Sequence, residues 1–402
     1  MSNRPVEIDY LAGSPLDRNI AIFLIFLGLV ALWKRKKQFS IEFKSNFWIY
    51  VFYVYALMSV SWSNYTGVSI KRWIKLAADA VMALIILTED DRGEAIEHVF
   101  RRCSIVLIPL SALFIRYYRW IGVYYDRTGG VISWRGASDQ KNGLGLLCAY
   151  FGIFLIWRIV KKGWRKLSFI DLFLLLLALY LLLGSQSSTS AVVFVIGVFI
   201  LGSEFYRKKQ GSKFKNVTIV ALLIISILQG LLLFIGDTSI VSLFFSAAGR
   251  ESSFTGRVPL WKEMIKIGKQ RPIFGAGYGG FWIGNRITHS FEDIFWFTPG
   301  NSHNGYIDLF VDLGLMGLIF LFLLIVKAFN NIALSYKEEK ALGTLLFTFL
   351  IMVLFHNVTE SSIAKATVFL WDLFLLSVIV VTYKQKVAHA PALPAGKEAR
   401  IL

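Results

Sequence analysis

Apolar residues along this chain gather into long uninterrupted stretches bordered by charged or turn-rich segments. They lie near 18–33, 47–62, 68–88, 99–117, 142–160, 167–184, 188–205, 216–235, 304–327, 341–357 and 366–383. A helix rises 1.5 Å per residue, so about 20 apolar residues cross a ~30 Å hydrocarbon layer, and the pattern predicts eleven transmembrane helices. The sixth and seventh stretches are parted only by Gly184-Ser185-Gln186-Ser187-Ser188, a polar hinge that predicts two helices rather than one. The expected fold class is therefore all-α: a polytopic membrane protein with an N-terminal bundle over 1–235, a long external loop over 236–303, C-terminal transmembrane helices over 304–383 and a disordered tail over 384–402. Within the loop, Pro259 suits a first helical turn, while Trp261, Met264, Ile265 and Gly268 share one face, which predicts a short amphipathic helix at the membrane surface. No internal repeat is visible.

Composition supports this reading. Of 402 residues, 56% are hydrophobic and only 17% charged, which excludes an ordinary water-soluble two-domain enzyme. Residues 1–17 carry Glu7, Asp9 and Asp17 and lack the basic-then-apolar layout of a cleaved signal peptide. The net charge of +17 divides between an orientation signal and any anion-binding site, so nucleic acid is not the expected partner. With the N-terminus outside, Lys34 to Lys37, Arg101-Arg102, Lys161-Lys162, Arg207 to Lys209, Lys337 with Lys340, and Lys384 with Lys386 all fall on the cytoplasmic side. Orientation leaves the outer basic residues unexplained. Cys103 and Cys148 are isolated and read as small buried hydrophobes.

The strongest local signal is Asn301-Ser302-His303-Asn304-Gly305-Tyr306, where the long loop enters the ninth stretch. An imidazole with an ordinary pKa of ~6.5 suits general-base work, and it equally serves as an interfacial hydrogen-bonding group. Asn301 and Asn304 supply tautomer-fixing or substrate-binding partners, and the helix start beyond them is expected to offer free backbone N–H groups to an anion. Arg250, Arg257 and Arg271 in the loop, Arg72 and Lys75 at the outer end of the third stretch, and Arg135 and Lys141 before the fifth are candidate phosphate ligands. Glu360, between the last two stretches, either orients His303 or pairs with an arginine. Gly275 to Gly280 matches G-x-G-x-x-G without a strand-turn-helix unit around it, so the match is read as accidental. Such a turn still permits close backbone approach to a ligand, with Tyr278 and Trp282 beside it as candidate sugar-stacking rings. Nothing in the sequence has the spacing of a metal site, and no cofactor is expected.

Gly256-Arg257 with Trp261, Pro272 to Gly277, Ser302 to Tyr306 and Gly314 to Gly317, together with Trp134-Arg135-Gly136 and Lys141-Asn142, resemble the signature of the O-antigen ligase and O-antigen polymerase superfamily. The resemblance extends from about Ser14 to Tyr383. It implies a bacterial inner-membrane glycosyltransferase, metal-independent and inverting, that moves glycan from undecaprenyl diphosphate to an acceptor hydroxyl on the periplasmic side. It makes His303 the activator of that hydroxyl and Arg257 a diphosphate ligand. The acceptor is another lipid-linked glycan in a polymerase and lipid A-core in a ligase. A chain-length regulator is a further expected partner. Ligases of this family carry an arginine after a Ser-rich stretch, whereas Gln186 to Ala191 has none, which favours a polymerase of O-antigen or exopolysaccharide repeat units. A transporter of lipid-linked glycans is the rival from another class, but it has no use for a catalytic histidine sharing one face with the outer basic residues.

Overall fold

The structure is a computed structural model that describes residues 15–36, 46–89, 91–125, 132–163, 168–206, 257–283, 300–366 and 368–379. Along these residues run α1 (Pro15–Lys34), α2 (Phe47–Ser59), α3 (Thr66–Leu87), α4 (Arg92–Tyr117), a single turn at Arg119–Gly122, β1 (Val123–Tyr125), β2 (Ile132–Trp134), α5 (Lys141–Lys162), α6 (Phe169–Ser185), α7 (Ser188–Tyr206), α8 (Arg257–Gly268), α9 (Gly305–Glu338), α10 (Lys340–Thr359) and α11 (Phe369–Ile379). Ten of the eleven apolar stretches thus lie on helices, and the one at 216–235 falls outside the described residues, as does the tail at 384–402. Helices α4, α5, α9 and α10 are each long and apolar enough to cross a membrane, and shorter apolar helices accompany them. The protein is a multi-pass membrane protein, all-α among the described residues apart from the antiparallel β1–β2 ladder, which pairs Val123 with Trp134 and Tyr125 with Ile132. Short polar segments flanked by Tyr, Ile and Trp read as loop in a helical chain, so that hairpin was not expected.

Local sequence explains most boundaries. Asp91 accepts the Glu94 N–H at 2.9 Å and starts α4 seven residues ahead of the apolar stretch that marks it. At the polar hinge, Gln186 adopts a left-handed φ of 51° and separates α6 from α7. The amphipathic helix expected at 259–268 is α8, which begins at Arg257 and holds Pro259 in its first turn.

Helices α5, α10 and α11 form the buried centre, with Trp157, Phe151, Phe154, Phe349, Trp371 and Phe374 almost wholly enclosed. Lipid tails are as apolar as these side chains, so close packing and internal hydrogen bonds hold such helices together. The ring stack of Phe100 on Phe349 (5.3 Å) and the Trp157 Nε1–H donated to Ala341 O (2.7 Å) are of that kind. The outer faces are apolar instead: Phe169, Phe173, Leu176, Tyr180 and Leu183 make an exposed stripe along α6, the pattern of a surface against lipid.

Two clusters of buried charges lie at opposite ends of the bundle. Arg158 bonds Asp171 and Glu97 at 2.9 Å each, and Lys161 bonds Glu97 (3.2 Å) and Glu339 (3.1 Å), which ties α4, α5 and α6 to the α9–α10 junction. Asn142 lies sixteen residues earlier on α5, roughly 24 Å away at the helical rise, and belongs to the cluster at the other end.

Helix α9 is broken at Gly314, whose φ of 66° and ψ of −163° interrupt the ladder. The segment Pro272 to Gly277 fills the break. Ala276 N–H and Gly277 N–H donate to Val311 O (2.9 Å) and Asp312 O (2.8 Å), while Leu315 N–H and Met316 N–H donate to Pro272 O (2.8 Å) and Ile273 O (3.2 Å). A Cβ on Gly314 would run into Ile273 O, so both conformation and space require glycine there. The glycine-rich turn expected to approach a ligand therefore approaches protein backbone, that of α9 and of Ser59 to Ser63 after α2.

Candidate active site

Three chain segments meet at the end of the bundle opposite the Arg158 network: the approach to α9, the exit from α10 and the start of α8. Asn304 caps α9, its Oδ1 accepting from Tyr306 N–H (3.0 Å) and Ile307 N–H (3.1 Å). Gly305 N–H donates to Glu360 O at 3.0 Å, and Asp308 N–H to Asn304 O at 3.0 Å. The start of α9 therefore has no free amide for an anion among these groups, contrary to the sequence expectation. The reason is that Asn304 and the Glu360 carbonyl supply the acceptors a ligand would have supplied. Gly305 also has no room for a side chain, since a Cβ would run into Asn357 Oδ1. That same Oδ1 accepts Ser362 N–H (2.8 Å) and Ile363 N–H (2.9 Å), turning the chain back after α10.

His303 sits at a left-handed φ of 52°, uncommon for a residue with a side chain and often found at functional sites. Its N–H donates to Asn301 Oδ1 at 2.9 Å, and Trp261 Nε1–H donates to Ser302 O at 2.7 Å, which fixes the turn on α8. His303 Nδ1 lies 3.2 Å from Glu360 Oε2. The other carboxylate oxygen accepts from Asn142 Nδ2 (2.9 Å) and Arg257 Nη2 (3.1 Å), and Arg257 Nη1 donates to Thr359 O. Glu360 is 11% exposed and His303 34% exposed. Burial pushes the Glu360 carboxyl up, but the hydrogen bond from His303 and the charge of Arg257 outweigh burial and hold it below the usual carboxylate range. An ionised carboxylate only accepts, so the Nδ1 facing it carries a proton, and in the neutral ring the lone pair is then on Nε2. Nε2 makes no hydrogen bond among the described residues and the imidazole is partly open, the arrangement of a general base with an orienting carboxylate.

The other expected site residues fall in several places. Arg72 Nη1 donates to Gly279 O at 2.5 Å and stands with Asp312 and Tyr278 beside the α9 break. Lys75 is half-buried on α3 one turn below it, and Lys141 is half-buried at the start of α5, next to Asn142. Arg135 spends its guanidinium on Ile121 O (2.5 Å) and Trp120 O (2.7 Å), closing the β hairpin. Arg271 is exposed on the turn after α8, and Arg250 lies outside the described residues. Tyr278 is buried with its hydroxyl on Ala364 O (2.7 Å), Tyr306 gives its hydroxyl to Leu354 O (2.8 Å), and Trp282 is packed against α8. Tyr278 and Trp282 are buried, and Tyr306 is half-buried.

Sequence reading left Asn142 without a role, and did not single out Lys365 or Ser361. The signal for Asn142 was its adjacency to Lys141 in the motif. For Lys365 and Ser361 it was a charge and a hydroxyl in a short polar link between two apolar helices, too common a pattern to carry weight. Sequence did pose two partners for Glu360, His303 or an arginine, and its two oxygens contact one each.

Comparison with known proteins agrees with this architecture. Residues 172–322 match the family described as O-antigen ligase, Wzy_C, a span that includes Arg257 and His303. The chain is also 29% identical over 320 residues to the exopolysaccharide production protein ExoQ of Rhizobium meliloti (strain 1021), covering 77% of this chain and 70% of that protein. Both comparisons support the O-antigen ligase and polymerase superfamily, whose motifs this chain resembles in order.

Proposed function

We propose that this protein is a membrane glycosyltransferase that moves glycan from undecaprenyl diphosphate to an acceptor hydroxyl, and that it polymerises exopolysaccharide or O-antigen repeat units. The observation that carries the reading is the His303–Glu360–Arg257 constellation. Glu360 holds the Nδ1 proton, His303 Nε2 takes the proton of the incoming hydroxyl, and the oxygen attacks the anomeric carbon as the diphosphate leaves. Direct displacement inverts that carbon. Arg257, with Arg72, Lys75, Lys141 and Arg271, supplies positive charge for the leaving diphosphate, and Arg250 is a further candidate from the sequence. The reaction needs no cofactor in this reading and takes place at the outer face of the inner membrane, where the basic-residue pattern puts the His303 end.

The similar rhizobial protein is named for exopolysaccharide production, which favours an exopolysaccharide product, and the missing arginine after the Ser-rich stretch favours a polymerase. The family description favours a second reading, a ligase that attaches glycan to lipid A-core. The test is release of undecaprenyl diphosphate by purified protein in liposomes, given lipid-linked oligosaccharide extracted from a strain lacking this protein. Release with a ladder of lengthening glycans establishes polymerisation. Release only after lipid A-core is added makes the protein a ligase, and silence with both acceptors returns the transporter reading. His303→Ala is expected to abolish release at normal protein levels.

A further inference from the structure

Asp308 lies in the first turn of α9 with its side chain only 3% exposed, yet the helix does not need it as a cap, because Asn304 already holds Tyr306 N–H and Ile307 N–H. Its acceptors go elsewhere. Oδ1 takes the Ser302 N–H at 2.9 Å, and Oδ2 takes both the Ser361 hydroxyl and Lys365 Nζ, the latter at 2.8 Å. Ser302 immediately precedes His303, and Ser361 immediately follows Glu360. One buried carboxylate thus grips the neighbours of both members of the His303–Glu360 pair.

We infer that Asp308 is a positioning residue that sets His303 against Glu360, with Lys365 as its counter-ion; the inference rests on the function proposed above. Burying a charge is costly unless it is paired and hydrogen-bonded, and here every partner comes from one of the two segments that carry the reacting pair. The left-handed turn at His303 needs support from both sides. Asn301 Oδ1 supports it at the His303 N–H, and Asp308 supports it one residue earlier. With the Ser302 anchor gone, the turn relaxes toward negative φ, and the imidazole leaves the line joining Glu360 to the acceptor. Asp308 itself touches no reacting atom.

The test uses full-length protein in liposomes with the extracted lipid-linked oligosaccharide, and initial rates of undecaprenyl diphosphate release over a range of that substrate. Asp308→Asn is expected to lower kcat about a hundredfold with KM within about twofold, the effect of a ~1 Å misplacement. Ser361→Ala removes one arm without changing charge and is expected to lower kcat about tenfold at an unchanged melting temperature, which keeps the idea testable if Asp308→Asn fails to fold. Lys365→Met is expected to follow Asp308→Asn, and the double variant to be no slower than the slower single one, because both act through one contact. Wild-type kcat in Ser361→Ala and Asp308→Asn overturns the inference, as does a rise in KM alone, which would make these residues substrate ligands. His303→Ala assayed alongside separates the two levels. Its inactivity beside a fully active Asp308→Asn removes only the positioning role, whereas its full activity removes the function proposed above.

Discussion

Glu360→Gln is the substitution from which most can be learned, because it keeps shape and removes one charge. The carboxylate accepts from three donors: His303 Nδ1 at 3.2 Å, Asn142 Nδ2 at 2.9 Å and Arg257 Nη2 at 3.1 Å. A glutamine offers one oxygen and one NH2 in their place. If the oxygen faces Asn142 and Arg257, the NH2 faces Nδ1, which then becomes the acceptor, and the proton moves to Nε2, where it blocks the base. If the oxygen faces His303, the NH2 confronts two donors at a site only 11% exposed. Leaving one buried group unsatisfied costs about 1–3 kcal/mol, and each lost charge-assisted bond about 1.5–3 kcal/mol. A loss of about 3–4 kcal/mol in the transition state follows, which at 1.36 kcal/mol per decade is a fall in kcat of two to three orders of magnitude. Initial rates of undecaprenyl diphosphate release by the reconstituted variant measure it, with folding checked by its elution and melting in detergent. Turnover within about threefold of wild type in a folded Glu360→Gln protein would refute the tautomer argument and leave His303 without a base's credentials.

Other perturbations test neighbouring links. Arg257→Lys keeps a charge but cannot reach both Thr359 O and Glu360 Oε1 from one nitrogen as the fork does; a kcat loss of about tenfold or more is expected, with Arg257→Gln worse. Gly314→Ala forces a Cβ into Ile273 O at a φ of 66° and is expected to destabilise the protein by about 1–3 kcal/mol, read as a lower melting temperature in detergent. Because the Glu360 carboxyl is held below its ordinary value, its contribution is fully present above the unfolded pKa of about 4.3 and is lost as pH falls through the folded value. The melting advantage of wild type over Glu360→Gln is therefore expected to stay level from pH 7 to about 5 and to shrink below it, measured by thermal scans across that series. Arg135→Ala is expected to loosen the β hairpin, seen as faster proteolysis between Gly122 and Lys141, since its two bonds go to Trp120 and Ile121 carbonyls.

Sequence periodicity located the helices well because an apolar stretch of this length has few alternatives in a bilayer, and because Gly184 to Ser188 and Pro259 mark their own boundaries, but it began the fourth helix at 99 because the first turns after the Asp91 cap are polar. It was silent where backbone partners come from far along the chain. The break in α9 is written only as Gly314, and the loop that fills it, Pro272 to Gly277, lies some forty residues earlier; alone, that loop imitates a dinucleotide turn. The amides at the start of α9 looked available because Asn304 could be recognised as a cap only once its partners were known, and the Glu360 carbonyl lies 55 residues away from Gly305. Aromatic rings near a polar turn, such as Tyr278 and Trp282, read the same whether they stack on sugar or on protein. His303, Arg257 and Glu360 were legible because their chemistry is rare in an apolar chain, while Asn142, Ser361 and Lys365 look like ordinary loop residues.

Several of the contacts that tie the site's segments together end on main-chain carbonyls, and this bears on how it performs its proposed chemistry. Gly305 N–H binds Glu360 O, Arg257 Nη1 binds Thr359 O, Asn304 Nδ2 binds Val358 O at 3.1 Å, and Trp261 Nε1 binds Ser302 O. Each segment that carries a reacting group is thus bonded to the main chain of another. These anchors hold the main chain on either side of His303 and Glu360 in place, so the two side chains start from fixed backbone positions when substrate arrives. Preorganisation of that sort is what a general base needs when its partner is a weakly acidic sugar hydroxyl. It also predicts where tolerance lies. Substitutions at Lys75, Lys141 or Arg271, half-buried or exposed and outside this web, are expected to lower kcat/KM for the lipid-linked donor only several-fold, whereas changes that break a main-chain anchor lower kcat by about tenfold or more.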